Sequence, residues 1–280
     1  MQKSIIYIAL LIISCTVFSS CSMFSKRYEK VEKGEYKISA NGKKRFSLNN
    51  VNGKIKVVKG SDSTAIIVKF EKTVYVKKRE LNNSIDDQIT MTLDTMGTDV
   101  KIESEFERRR SEIQFGENRD NSVDYEVYLP ENIELSLDNT NGTIDVSNLG
   151  NNAKISTING TIKITRMTGK LDLETTNGTI KGTLDSTKGI IAATVNGNIN
   201  FTFGPKVRGK VNAEVVHGTI KTKNLKFSDL KDSRDKDEFE GFLGGDIEGV
   251  LGSSSDVKIK LETTNGSIKL TGSDSDSLEI

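Results

Sequence analysis

The chain has 280 residues, 35% hydrophobic and 28% charged, which is the composition of a folded protein and sets it apart from disordered and membrane-spanning chains. Its 40 basic and 39 acidic side chains give a net charge of +1, without the basic excess of a nucleic-acid-binding domain. There is no Trp, aromatics are 6%, and 24 Gly stand against 2 Pro, so a stacking platform is disfavoured and tight turns between hydrogen-bonded strands are favoured.

Lys3, the apolar run from Ile5 to Ile13, and Ser19-Ser20 ahead of Cys21 read as a signal peptide over residues 1–20. The run falls short of the roughly 20 apolar residues that a spanning helix needs. Phe18-Ser19-Ser20-Cys21 resembles the bacterial lipobox, with Phe in place of the usual Leu, and Ile12-Ile13-Ser14-Cys15 is a second candidate that would leave a signal of fourteen residues. Cleavage at residue 20 removes only Lys3 among the charged groups, leaving 39 of each sign, and leaves Cys21 as the sole cysteine. A lone thiol at a new N-terminus is better explained as a lipid acceptor than as a disulfide partner. The expectation is therefore an exported chain, acylated on Cys21 and held to the cell envelope at the outer membrane, each buried methylene contributing about 0.8 kcal/mol. Residues 21–36 are polar and charged and are expected to form a tether.

A motif of the form Asn-Gly-Thr-Ile-Lys then recurs. Its turn residues are Asn52, Asn141, Asn159, Asn177, Asn196, His217 and Asn265, each followed by Gly, and the central turns are 18, 18, 19 and 21 residues apart. Positions six and four before the turn are apolar (Leu135 and Leu137, Leu171 and Leu173), as are positions three and five after it (Ile144 and Val146, Ile162 and Ile164). Both flanks thus have the period of a strand with one buried face. Asn-Gly suits a tight reversal because both residues tolerate positive φ.

Two architectures satisfy the pattern. In an antiparallel meander, Asn-Gly closes hairpins and sets Glu174 opposite Lys181, Glu214 opposite Lys221 and Glu262 opposite Lys269. In a β-solenoid, it forms one corner of each coil, and Asn141, Asn159, Asn177 and Asn196 stack about 4.8 Å apart with their amides bonded along the ladder. Like falling on like at coil spacing favours the solenoid. The expectation is an all-β, single-domain β-solenoid over residues 37–272, with a loop insertion at about 226–245 and a tail at 273–280.

The run Asp124-Tyr-Glu-Val-Tyr-Leu-Pro130, the repeated Thr-Asn-Gly-Thr-Ile, and Phe242-Leu-Gly-Gly245 followed by the coil from Asp256 to Leu270 resemble the bacterial putative-adhesin family, related to the head GIN domain. The resemblance covers roughly residues 40 to 272. It implies a β-helix-like fold, export to the envelope, and no catalytic residue to carry over.

Chemistry is sparse. The single His, His217, takes a turn position otherwise held by Asn, and Cys21 is spent on the anchor, so neither triad catalysis nor a His- and Cys-based zinc site can be assembled. No cofactor and no metal are expected. Asp138, Asp145, Asp172 and Glu174 would be the acids of a glycan-cleaving β-helix, yet they alternate with Lys and neutral groups as solvated strand faces do. The residue four after each turn is Lys56, Lys163, Lys181, Lys221 and Lys269, with Asp145 and Asn200 the exceptions. Stacked coils would align Lys163, Lys181, Lys221 and Lys269 into a basic stripe able to meet anionic lipid or polysaccharide; the plainer role is to keep exposed strands soluble. The sequence therefore points to a non-enzymatic envelope lipoprotein acting as a structural or adhesin-like module, partnered by the membrane through its lipid and by an envelope protein or polysaccharide. A sensor in envelope stress signalling is the alternative, and a glycan-active enzyme the third.

Overall fold

The computed structural model describes residues 7–9, 27–107, 121–233, 244–252 and 256–273. They fall into two compact units, Met1–Pro130 and Glu131–Ile280. Among the described residues, the helical content is one 3-10 turn, Lys78–Glu80, and the rest of the regular structure is strand. The protein is all-β and β-solenoid-like.

Unit 1 holds β1 (Tyr7–Ala9), β2 (Arg27–Ser39), β3 (Arg45–Asn52), β4 (Ile55–Lys59), β5 (Ala65–Lys77), β6 (Ile89–Asp94), β7 (Asp99–Phe106) and β8 (Ser122–Leu129). β2 pairs antiparallel with β5 along its whole length, and β5 with β8. β3 and β4, joined through Asn52-Gly53, run parallel to β7 and β8 respectively. Alternation explains these strands: Val68, Phe70, Val74 and Val76 of β5 point inward while their neighbours face out.

The expected tether is a strand from Arg27 onward, within residues 21–36. Its charges find partners across the ladder, Lys33 with Glu71 at 2.7 Å and Glu32 with Lys72 at 3.3 Å, so polarity conceals a paired strand. Gly34 lies opposite Phe70, whose ring covers it so closely that a Cβ would come within 2.3 Å. β1 lies in the expected signal segment and pairs with Glu35 to Lys37 of β2.

Unit 2 holds β9 (Glu134–Ser147), β10 (Ala153–Thr165), β11 (Leu171–Leu184), β12 (Ile190–Asn196), β13 (Ile199–Phe203), β14 (Gly209–Lys223), β15 (Phe227–Asp232), β16 (Gly245–Leu251) and β17 (Lys258–Gly272). β9, β10 and β11 stack parallel, each coil on the last in identical register, and β12 with β13 forms the next rung. The stack then leaves chain order. β17 lies against β12 and β13, and β14 lies on the far side of β17. β16 pairs antiparallel with the first half of β14, and β15 with β16, ending the parallel ladder. The expected loop at 226–245 is thus strand at both ends, with 234–243 outside the described residues. β15 escapes a period-two reading because it is almost wholly exposed, and β16 because Gly245 and Gly249 take inward positions.

The core of unit 2 is made of columns. Ile144, Ile162, Ile180, Ile199, Ile268 and Ile220 stack in that order and are all buried, each side chain contributing about 1.5–3 kcal/mol. Gly182 breaks the next column for a steric reason: its added Cβ would meet the Phe201 ring at 2.5 Å, so the missing side chain makes room for the ring. Phe201 in turn stacks on Phe203 with centroids 5.8 Å apart.

Candidate functional site

The repeat places one asparagine per coil at the same corner. Asn159 Nδ2 donates to Asn141 Oδ1 at 3.0 Å, Asn177 to Asn159 at 3.0 Å, Asn196 to Asn177 at 2.9 Å and Asn265 to Asn196 at 2.8 Å. His217 follows Asn265 in the register. The ladder therefore runs 141, 159, 177, 196, 265, 217, an order that the chain itself does not follow. Asn52 lies in unit 1, where its amide donates to the Asn121 carbonyl at 3.1 Å.

The corner is not a hairpin reversal. β9, β10 and β11 run straight through their Asn-Gly pairs, and none of these asparagines has a positive φ. What changes is phase: Leu135, Leu137 and Asn139 are buried before the corner, and Ile144 and Val146 after it. Glycine is required by proximity, and at Gly142, Gly218 and Gly266 also by a positive φ of 131, 147 and 158. A Cβ on Gly160, Gly178, Gly197, Gly266 or Gly218 would lie 1.6–1.9 Å from the carbonyl oxygen of the glycine one coil away.

Just inside the corner runs a column of buried polar groups: Asn139, Thr157, Thr175, Thr194 and Thr263. Thr263 donates to the Gly197 carbonyl at 3.0 Å, while the Oγ1 atoms of Thr157, Thr175 and Thr194 have no hydrogen-bond partner. A buried hydroxyl without a partner costs about 1–3 kcal/mol. Thr175→Val keeps the shape and removes that cost, so its urea midpoint is expected to rise by the equivalent of about 1 kcal/mol. A fall of that size would mean that the hydroxyl is bonded.

The two outward faces beside the corner differ in charge. Before it stand Asp138, Asp172, Glu174, Glu262 and Glu214; Ser156 donates to Asp138, and Lys260 pairs with Glu262 at 2.6 Å, which raises the Lys260 pKa. After it stand Asp145, Lys163, Lys181, Asn200, Lys269 and Lys221, in stack order. Lys163 meets Asp145 at 3.3 Å. Lys56 belongs to unit 1, where it binds Glu126 at 2.8 Å and holds that carboxyl below its ordinary range.

Unit 1 carries a second polar cluster that sequence periodicity did not reveal. Lys72 takes an inward position on β5 with its side chain 6% exposed, and its Nζ lies 2.6 Å from Asp86 Oδ1 and 3.3 Å from Glu32 Oε1. Burial opposes its charge, but the Asp86 and Glu32 contacts outweigh it and raise its pKa. The Tyr125 hydroxyl shares a 2.5 Å hydrogen bond with Ser104 Oγ, and burial pushes its pKa well up; burial likewise raises Tyr36. All three groups are raised from ordinary values of 10.0 and 10.5, so their stabilisation is complete below about pH 10 and is lost as pH rises through the folded values. Tyr125→Phe is expected to lose about 1 kcal/mol at neutral pH with Ser104 unpartnered, yet to begin alkaline unfolding at higher pH than the parent. Circular dichroism between about pH 8 and about pH 12 would show it; an unmoved alkaline limb would remove Tyr125 as its source.

Cys21 lies outside the described residues. Among those described, no helix is long and apolar enough to cross a membrane, and no group of three or more His, Cys, Asp or Glu could hold a metal ion.

Fold and site together define an all-β, solenoid-like protein whose repeat presents parallel columns of like polar residues. No family model matches the chain, and no curated protein matches it. Among solved structures it is similar to a putative cell adhesion protein from Clostridium sporogenes, at 14% identity and a TM-score of 0.44, over 89% of this chain and 100% of that one. It is also similar to putative adhesins from Bacteroides fragilis (10% identity, TM-score 0.30, 86% and 97% covered) and Parabacteroides distasonis (10%, 0.28, 85% and 97%).

Proposed function

We propose that the protein is a non-enzymatic, adhesin-like binding module of the bacterial envelope, exported and held there by a lipid on Cys21. The observation that carries the binding half is the shared register of six coils, which fixes outward residues of one kind into columns at strand spacing, about 4.8 Å apart. Such a surface is rigid before any ligand arrives, so little conformational entropy is lost on contact. The anchoring half is supported by the sequence around Phe18 to Cys21, and β2, starting at Arg27, would leave only a short connection between lipid and domain.

The test is acyl incorporation and membrane fractionation of the full chain with Cys21 intact and with Cys21→Ser. Acylation and membrane retention lost only in the variant are the expected result. Equal fractionation of both chains without acylation would overturn the anchor and leave a freely secreted module.

A further inference from the structure

The lysine column is electrostatically frustrated. The register stacks Lys181 directly on Lys163, and Lys221 directly on Lys269, one strand spacing apart. Like charges placed opposite each other on a sheet are destabilising. Some other exposed lysines of these sheets meet carboxylates, as Lys56 meets Glu126, Lys210 meets Glu248 and Lys260 meets Glu262, while Lys258, stacked on Lys210, has none among the described residues. Lys163 has Asp145, but among the described residues no carboxylate lies within ion-pair distance of Lys181, Lys269 or Lys221. Asp145 is the sole acid among the outward positions two, four and six after the corners of these coils; the others are Lys, Asn, Ser and Thr. Local rules broken without an internal remedy mark surfaces shaped for something else.

We infer that this face binds a linear polyanionic polysaccharide, laid along the stack with its acidic groups over the lysine column. The inference rests on the binding-module reading but not on the anchor. Geometry favours a chain over a planar surface: the charge lies in a narrow line, flanked by neutral hydroxyls such as Thr161 and Thr165, Thr179 and Thr183, and widened only at its end by Lys223 beside Lys221. The line also exists only because β17 enters the stack beside β14, which brings Lys269 next to Lys221. Ammonium groups supply the charge, and threonine hydroxyls donate to the carboxylates between them.

The test uses the purified full chain against alginate, with neutral dextran and phosphatidylglycerol vesicles as the other arms. The parent is expected to bind alginate and not dextran, more weakly as salt rises. Lys181→Gln/Lys269→Gln/Lys221→Gln is expected to weaken alginate binding about tenfold while melting no lower than the parent, since it relieves repulsion. Lys154→Gln/Lys170→Gln/Lys188→Gln, the same charge change off the column, is expected to bind like the parent. No alginate binding by the parent, or equal losses in the two triple variants, would overturn the inference. Vesicle binding lost with alginate binding intact would also overturn it, in favour of a lipid surface. These readouts do not involve the lipid, so they and the acylation test fail separately.

Discussion

Gly178→Ala is expected to destabilise unit 2 by about 3 kcal/mol or more, a larger loss than its single methyl group would suggest. The new Cβ would sit 1.7 Å from the Gly160 carbonyl oxygen, and the obstacle is backbone, which cannot rotate aside. The coils would have to part, loosening the Asn159–Asn177 and Asn177–Asn196 hydrogen bonds together. Gly97→Ala is the informative comparison, because Gly97 has φ +61 and open space around its Cβ position. It should lose only the left-handed penalty, about 1–2 kcal/mol. Urea unfolding of both variants checks the claim; equal losses would mean that conformational preference, not coil contact, selects glycine at the corner.

Ending the chain after Val257 is expected to abolish cooperative folding of unit 2. β17 is an inner rung, so its removal strips a parallel partner from β12, β13 and β14 at once. It also removes Ile259, Leu261, Ile268 and Leu270, all buried. At about 1.5–3 kcal/mol each, their loss is on the order of 10 kcal/mol, comparable with the entire stability of a typical domain. A chain ending after Ser273 keeps β17 and should unfold like the parent. Hydrogen exchange on both chains is the measurement, and native-like protection of β14 in the shorter one would show that β17 is dispensable.

Much of this architecture was legible in the repeat, because parallel strands in register turn sequence period directly into neighbourhood. The bonding of Asn141, Asn159, Asn177 and Asn196 follows from coil length alone. The position of Asn265 does not. Periodicity marks Lys258–Gly272 as a coil, but whether it follows β14 or precedes it is decided by the path through β15 and β16, whose exposed and glycine-bearing strands carry little period of their own. The corner itself was only partly legible: Asn-Gly suggested a reversal at positive φ, and Gly142, Gly218 and Gly266 do take positive φ, but the strands do not reverse, coil-to-coil contact also demands the glycine, and ladder bonding demands the asparagine. Unit 1 was harder, since β2 is written in charges that pair across strands, and Lys72 stands inward where an apolar residue would have signalled the face.

The connection between successive coils has a consequence for the size of the molecule. From β9 to β11 each coil passes directly to the next, and Asn141, Asn159 and Asn177 fall 18 residues apart. The height of the stack is therefore quantised. Excising residues 153–170 would set Leu171 on Leu135 and Asn177 on Asn141, with every column intact and the stack shorter by one strand spacing, about 4.8 Å. Removing one residue fewer would leave one extra residue for the connection between coils to absorb, as the 19-residue coil from Asn177 to Asn196 does with its register kept. In this region the protein can be lengthened or shortened only in whole rungs, with its asparagines as the graduations.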